Sequence, residues 1–171
     1  MSGLRICEAL NLTLDDVDIA EGILAIHSSK FGKSRLIPLH ETTVKVLADY
    51  KKRRARLLGR AQVSHFFVNP AGTRLSYDSV RDSFQHLSEE VGLDARIDGR
   101  RPHLHDLRHR FALLTLLHWY RDGQEVERRL PVLSAYLGHL QISNTYWYLS
   151  ARPDLLEAAK ARLEQRWEGQ S

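Results

Sequence analysis

The stretch from residue 102 to residue 148 constrains the fold most strongly, because apolar residues recur in it at helical spacing. His105 and Arg108 lie three residues apart on the predicted helix, so their side chains project together to one side of the apolar stripe. An imidazole beside a fixed cation favours the binding of an anion. The stripe itself predicts a face that packs in the core, and it consists of Leu104, Leu107, Phe111, Leu114 and Leu117.

A second helix is predicted further along this stretch, with a histidine after it. Pro131 suits the first turn of a helix, because proline lacks the backbone N–H that a first turn leaves unpaired. Gly138 suits the residue that ends a helix. Together they predict a short helix over 131–137 that places His139 after its end.

A third helix is predicted around a cluster of aromatic residues. Ser143 or Asn144 can cap it, and it carries Tyr146, Trp147 and Tyr148. In a helix the two tyrosines point about 200° apart, so only one of them can face a bound group. A single histidine or tyrosine on such a helix is more often part of a core. The ordered combination of these groups is what indicates a functional site.

The beginning of the chain also predicts a helix, because apolar residues lie at helical spacing from residue 4 to residue 12. Arg5 and Glu8 are three apart on another side of it. Met1 lies so close to Arg5 that a cap and a first turn are not expected to be well formed. This start predicts that a longer protein continues before it.

Residues 22–39 predict a β-hairpin, because two short runs rich in branched and apolar residues flank a polar centre. Lys30 and Lys33 lie at or near its tip. In an isolated hairpin such lysines are typical turn residues that increase solubility. Beside a bound phosphate they are flexible cations that can reach it.

An amphipathic helix is predicted over 41–58, after the hairpin. Its basic run at 51–56 is predicted to be a solvated face, and the alternative is a patch that contacts phosphates. The residues predicted to face inward are Val44, Leu47 and Leu58.

A short strand and a further helix are predicted next. The strand covers 66–68 and ends in a turn, and the helix covers 77–91 with Ser76 or Asp78 as its cap. A charged loop with several arginines then leads to residue 102. The residues of the helix predicted to face inward are Val80, Phe84 and Leu87.

Composition limits the class of protein without identifying it. A chain of 171 residues, 43% of them hydrophobic, can bury a sizeable core as one domain over 1–171. The net charge of +4 suits a polyanionic partner such as nucleic acid. The single cysteine, Cys7, excludes an internal disulfide. No run resembles a signal peptide or a membrane span, so we expect a soluble cytoplasmic protein with no membrane partner.

Residues 2–10 and the hairpin at 22–39 resemble motifs of the tyrosine recombinases, the phage integrase family. Residues 2–10 are similar to the first arginine motif of the catalytic domain, which puts Arg5 in the place of its arginine. Ser2 stands where threonine is usual. The hairpin is similar to the lysine hairpin of the family. Lys30 is the better match to its lysine, and Lys33 is the second candidate.

The resemblance continues through the stretch from residue 102 to residue 148. His105 and Arg108 match the H-x-x-R box, and Leu-Gly-His at 137–139 matches the L-G-H box. Tyr148 stands nine residues after His139, where the family places its nucleophile. Each motif is weak alone, whereas five in order at compatible spacings are specific.

The resemblance implies site-specific cleavage and rejoining of double-stranded DNA through a 3′-phosphotyrosine. Tyr148 would attack the phosphodiester, His105 would accept its proton and Lys30 would supply a proton to the departing 5′-oxygen. Two guanidiniums and two imidazoles would stabilise the charge on the non-bridging oxygens. No metal or cofactor is implied. The residues assigned to the reaction are Arg5, Lys30, His105, Arg108, His139 and Tyr148.

The predicted elements indicate an α+β fold that is mostly helical with a small antiparallel sheet, as in the catalytic core of the family. Family members carry a DNA-binding domain and further helices before the first arginine motif. The 171-residue chain is therefore expected to self-associate, to bind DNA with little sequence preference and not to recombine it. A full-length protein would be a homo-oligomer, a tetramer on DNA. A last helix over 154–163 would dock on a neighbouring protomer or on its own domain.

Other functions give competing interpretations of the same residues. His103, His105, Asp106 and His109 suggest a metal-dependent hydrolase, but residues two apart cannot share a helical face and Arg108 would repel a cation. A non-catalytic DNA-binding or interaction module descended from a recombinase is a second alternative. A type IB topoisomerase shares the tyrosine chemistry, but the order and compactness of the boxes favour a recombinase.

Overall fold

The part of the chain that the computed structural model describes, residues 2–27, 34–59, 61–93, 99, 101–139, 141, 143–150, 157 and 160, forms six helices and three strands. The predicted α+β class, mostly helical with a small antiparallel sheet, is confirmed. The chain divides into two compact units, Met1–Leu107 and Arg108–Ser171. In chain order the elements are α1 Ile6–Asn11, β1 Val17–Asp18, β2 Ile23–Ile26, β3 Arg35–Pro38, α2 Glu41–Leu58, α3 Tyr77–Glu90, α4 Leu104–Arg121, α5 Val126–Leu137 and α6 Ser143–Ser150.

The three strands of the first unit form one antiparallel sheet in the order β1-β2-β3. Leu24 and Ile26 of β2 are buried, and Leu24 pairs with the buried Ile37 of β3. Because alternate side chains of a strand point to the same face, one face of the hairpin belongs to the core. The predicted hairpin is confirmed, and its centre with Lys30 and Lys33 lies outside the described residues.

Helix α1 begins at Ile6, and Arg5 is its N-terminal cap. The backbone N–H of Arg5 donates to Glu8 Oε2 at 2.9 Å. The expectation of a poorly formed cap is therefore wrong, because the carboxylate at the third helical position reaches back to the cap residue. Leu10 and Leu12 are buried, which anchors the helix in the core of the first unit.

Helix α2 has the bounds that the sequence predicts, but its basic run is not a uniform solvated face. Arg54 is buried. Its Nε donates to the carbonyl of Phe66 at 3.0 Å and its Nη2 to that of His65 at 2.6 Å. The prediction is wrong at this position because the segment after α2 turns its carbonyls inward, and the guanidinium supplies the donors that they need.

The strand predicted at 66–68 is also wrong. The segment forms only isolated bridges, from His65 to Thr13 and from Val68 to Arg74. The carbonyls that a strand would pair with a neighbour are bound by Arg54 instead. The turn predicted after the segment is confirmed by the bond from the Gly72 N–H to the Asn69 carbonyl, at 2.9 Å.

Helix α3 begins after Ser76, whose Oγ accepts from the backbone N–H of Ser79 at 3.1 Å. Ser76 rather than Asp78 is therefore the cap. Leu87 was predicted to face inward and is exposed, whereas Ser88 is buried. The inward-facing side of α3 continues from the half-buried Phe84 to Ser88, four residues later. The Ser88 hydroxyl donates a hydrogen bond to the Phe84 carbonyl at 2.8 Å.

In the second unit, the part of α4 from Arg108 onward shares one hydrophobic core with α5 and α6. Leu107 and Leu114 of α4 are exposed, so the predicted stripe is wrong at these positions. Helix α4 carries leucines on several sides, and periodicity alone does not select the face that the other helices cover. The covered row of α4 is Arg108, Ala112 and Leu116, and the core also contains Val126, Leu130, Leu133, Leu137 and Tyr148.

Helix α5 starts at Val126, so the start predicted at Pro131 is wrong and the proline lies inside the helix. Burial of Val126 and Leu130 before the proline outweighs the one backbone hydrogen bond that proline removes. Glu127, whose carbonyl loses that partner, is exposed and can bond to water. Across all the helices that the structure describes, none is both long and apolar enough to span a membrane.

Replacing Arg54 tests how the first unit is held together. We expect Arg54→Leu to lower the free energy of unfolding by about 3 kcal/mol, because it leaves inward-facing carbonyls without donors. Arg53→Leu is the matched control, since Arg53 is exposed in the same basic run. Urea unfolding followed by far-ultraviolet circular dichroism measures both, and equal losses would contradict this role for Arg54.

Candidate functional site

The end of α5 places the backbone of His139. Gly138 has a left-handed conformation with φ 68° and ψ 42°, which glycine adopts without the strain that a side chain causes. Its N–H donates to the Ala135 carbonyl, and the His139 N–H donates to the Ser134 carbonyl, both at 2.9 Å. This pair of bonds is a Schellman motif. The predicted helix end is confirmed, and His139 follows it in a fixed backbone geometry.

Arg108 joins α4 to that same helix end. Arg108 is 2% exposed, and its Nη2 donates a hydrogen bond to the Leu137 carbonyl at 2.6 Å. The C-terminal end of a helix carries partial negative charge, so a guanidinium is favourable there. The H-x-x-R segment and the L-G-H segment are therefore connected directly by one charged hydrogen bond.

Tyr148 lies on α6 and is 2% exposed, whereas Tyr146 is 50% exposed. The two tyrosines thus face different sides, as their spacing predicts. The Tyr148 hydroxyl lies 2.9 Å from Nδ1 of His109 on α4. The imidazole of His109, a residue that the sequence analysis considered only as a possible metal ligand, is thus within hydrogen-bond distance of this hydroxyl.

The ring of His139 lies beside the same tyrosine. Its plane is 13° from that of Tyr148, with centroids 6.3 Å apart. His139 Nδ1 lies 2.8 Å from Oγ1 of Thr145, which is fully buried. Thr145 therefore fixes the orientation of this ring. We call Arg108, His109, His139, Thr145 and Tyr148 the tyrosine cluster.

A second group of charged side chains lies in the first unit, around Glu8. Arg35 of β3 binds both carboxylate oxygens of Glu8, at 3.1 and 2.9 Å. Arg5 Nη1 donates to Glu8 Oε1 at 3.0 Å. Burial raises the pKa of Glu8, but the hydrogen bonds from Arg35 and Arg5 and the charge of Arg35 outweigh it, so the pKa lies below its ordinary value. We call Arg5, Glu8 and Arg35 the glutamate cluster.

The predicted site residues fall into three groups. Arg108, His139 and Tyr148 come together in the second unit through the contacts just given. Arg5 and the exposed His105 belong to the first unit. Lys30 lies outside the described residues.

Several functional candidates were not found from the sequence. The spacing of three between Arg5 and Glu8 gave a signal for their pairing, but nothing linked Glu8 to Arg35, which is far along the chain. The hydroxyl of Thr145 gave no signal that set it apart from a structural residue, and the imidazole of His109 was considered only as a possible metal ligand. Their role depends on where α6 packs, which a local pattern does not contain.

The residues of the metallohydrolase hypothesis do not assemble. Within the described ranges, no three His, Cys, Asp or Glu side chains are grouped so that they could hold a metal ion. His109 contacts Tyr148, and Asp106 Oδ2 accepts the backbone N–H of His103 at 2.7 Å. These contacts are typical of a hydrogen-bonded site and a helix start.

Comparison with known sequences gives one consistent family. Residues 1–154 match the phage integrase family. The protein y4rB of Sinorhizobium fredii, an integrase/recombinase by its name, is 46% identical over 98% of this chain and 54% of its own length. The tyrosine recombinase XerD of Pseudomonas putida is 32% identical over 95% of this chain and 48% of its own length. The chain thus spans about half the length of these relatives.

Comparison with solved structures gives the same fold. The XerA recombinase superposes with a TM-score of 0.74 at 24% identity, over 94% of this chain and 53% of that protein. The integrase of transposon Tn1549, in complex with transposon right end DNA, superposes with a TM-score of 0.68 at 18% identity, over 96% of this chain and 55% of that one. The fold is therefore that of a recombinase catalytic domain.

The glutamate cluster predicts a dependence of stability on pH. Since the pKa of Glu8 is lower in the folded chain, its ionised form stabilises the fold at neutral pH, and this contribution is lost as the pH falls through the folded pKa, which lies below the ordinary pKa of a glutamate. Glu8→Gln should lower the free energy of unfolding by about 3 kcal/mol at pH 7 and by less in acid.

The exposed Glu21→Gln is the matched control for this change. Urea unfolding at several pH values between 3 and 8 measures the difference. A loss for Glu8→Gln that is the same at every pH would show that the ionised carboxylate is not what stabilises this cluster.

Proposed function

Because the chain belongs to the phage integrase family, we propose that the whole protein cleaves and rejoins double-stranded DNA at specific sites through a covalent bond between Tyr148 and a 3′-phosphate, and that the 171-residue chain retains the cleavage step. The names of its relatives support recombination, and the Tn1549 integrase was solved with DNA. The net charge of +4 suits a polyanionic substrate.

The contacts of the tyrosine cluster are the observation that supports this proposal best. A guanidinium, an imidazole and a phenol from three separate segments are joined by the bond from Arg108 to the Leu137 carbonyl and by the stacking of His139 on Tyr148. These are the groups that cleavage of a phosphodiester by tyrosine requires. Ordinary core packing needs none of the three polar groups.

Each group has a distinct part in the proposed reaction. The Arg108 guanidinium binds the non-bridging oxygens of the phosphate, where negative charge increases in the transition state. His139 donates a hydrogen bond to the same oxygens. The Tyr148 oxygen attacks phosphorus, and the 5′-oxygen leaves. The phosphotyrosine retains the energy of the phosphodiester, so a DNA 5′-hydroxyl can reverse the reaction on a new strand.

The remaining roles rest on the family resemblance. Arg5 would bind phosphate oxygens, His105 would accept the proton of Tyr148 and Lys30 would protonate the leaving 5′-oxygen. We also propose that the whole protein acts as a homo-oligomer on DNA. The helix predicted to dock between protomers, 154–163, lies outside the described residues apart from positions 157 and 160.

The tyrosine cluster is covered in this conformation, and the cover affects how it would work. Arg108 and Tyr148 are each 2% exposed. Binding of DNA must therefore open the site before a phosphate reaches either group. The same burial favours the second candidate function, a non-catalytic DNA-binding module in which these residues only stabilise the fold.

Covalent trapping separates the two functions. The chain is incubated with a library of randomised duplexes that each carry one nick, so that a short 5′-hydroxyl fragment diffuses away after cleavage and the adduct persists. EDTA is present to exclude metal-dependent hydrolysis. We expect an adduct with the unaltered chain, none with Tyr148→Phe, and an unchanged yield with Tyr146→Phe as the matched control. DNA binding without any adduct would instead support the non-catalytic module.

A further inference from the structure

His109 is the residue whose contacts extend the proposed reaction furthest. Its Nδ1 lies 2.9 Å from the Tyr148 hydroxyl, and the two ring centroids are 5.4 Å apart with an interplanar angle of 59°. The bond connects α4 to α6 and lies inside the second unit. The distance between the two atoms is that of a normal hydrogen bond.

We propose that His109 is a further catalytic residue and that it, in place of the His105 that the family resemblance suggests, accepts the proton of Tyr148 as the tyrosine attacks the phosphate. This inference rests on the proposed function. As the bond between the Tyr148 oxygen and phosphorus forms, the hydroxyl proton passes to His109 Nδ1. The bond from phosphorus to the 5′-oxygen breaks, and that oxygen takes a proton from the general acid. His109 is then an imidazolium, and it returns the proton when the reaction reverses.

Tyr148 needs such an acceptor because it must lose its proton as it attacks phosphorus. An ordinary tyrosine has a pKa near 10, so it is protonated at neutral pH. A phenol that is covered by protein has little water to take its proton, and a buried phenolate without a partner is costly. A neutral imidazole with its proton on Nε2 accepts at Nδ1 and is the usual proton acceptor in this pH range.

The other histidine beside Tyr148 is less suited to this role. The ring of His139 lies nearly parallel to that of Tyr148, with the two centroids 6.3 Å apart. Its Nδ1 is already within 2.8 Å of Thr145 Oγ1. His109 is half-buried, so the proton that it accepts has a short path to solvent.

The covered state of the site is compatible with a base at His109. Arg108 and Tyr148 are covered to the same degree, 2% exposed each. The group that binds phosphate and the group that attacks it are therefore closed off together.

The tautomer of His109 tests the proposal without any reaction. Nitrogen-15 chemical shifts of the histidine rings, measured on the 171-residue chain at neutral pH, should show a proton on Nε2 and an unprotonated Nδ1 in His109. Tyr148→Phe should shift the Nδ1 resonance. A proton on Nδ1 in the neutral ring would make His109 a donor to Tyr148 and would overturn the proposal.

The pH dependence of adduct formation tests the proton transfer itself. With the unaltered chain, the single-turnover rate should rise with pH and become constant once His109 has lost its proton. His109→Asn keeps a polar group near the hydroxyl but cannot accept the proton, and we expect a rate about 100-fold lower at pH 7. This rate should keep rising toward the pKa of tyrosine. A fluorinated, more acidic tyrosine at position 148 should restore much of it.

Matched controls separate this proposal from the function it rests on. His118→Asn alters an exposed histidine on the same helix, which pairs with Asp122, and it should not change the rate or its pH profile. His109→Asn with a rate within twofold of the unaltered chain, or with an unchanged profile at a lower rate, would refute the base role. A flat profile of the unaltered chain would also refute it. An adduct that survives Tyr148→Phe would instead refute the proposed function.

Discussion

The hydrogen bond from the buried Arg108 guanidinium to the Leu137 carbonyl is the interaction on which the tyrosine cluster depends. It ties α4 to the end of α5 at the point where Gly138 turns the chain and His139 follows. A buried guanidinium is stable only when its donors are paired, so this bond both satisfies the cation and fixes the spacing of two segments. Helix α6 then brings Tyr148 between the imidazoles of His109 and His139. The site is thus part of the core of the second unit.

Much of the fold could be predicted because local chemistry decides it. The alternation of the hairpin, the bounds of α2, the cap at Ser76 and the glycine at the end of α5 all follow from residues within a few positions of each other. The wrong predictions fall at residues whose burial depends on contacts with distant segments of the chain. Arg54 is buried because a later segment offers its carbonyls, and α4 is covered on the side of Ala112 because α5 and α6 pack there. Pro131 is tolerated inside α5 for the same reason, since the packing of the helix outweighs a local preference.

The residues of the site were likewise predicted where a sequence motif identifies them and missed where only a contact between distant segments does. The family motifs predicted Arg108, His139 and Tyr148, and the structure joins these three. The partners of His139 and Tyr148 could not be predicted, because Thr145 and His109 are identified only by contacts between distant segments. The same is true of Arg35, which binds Glu8. A histidine next to an arginine in a helix is common. It becomes a candidate base only when a tyrosine hydroxyl lies at hydrogen-bond distance from it.

Mapping the covalent adduct tests most directly whether Tyr148 is the residue that bonds to DNA. Trapped adducts are digested with nuclease and trypsin, and the peptide that carries a nucleotide is sequenced by tandem mass spectrometry. We expect the added mass on Tyr148, with Tyr146 unmodified in the same peptide. A nucleotide on Tyr146, or on any residue outside α6, would contradict the account of the site given above.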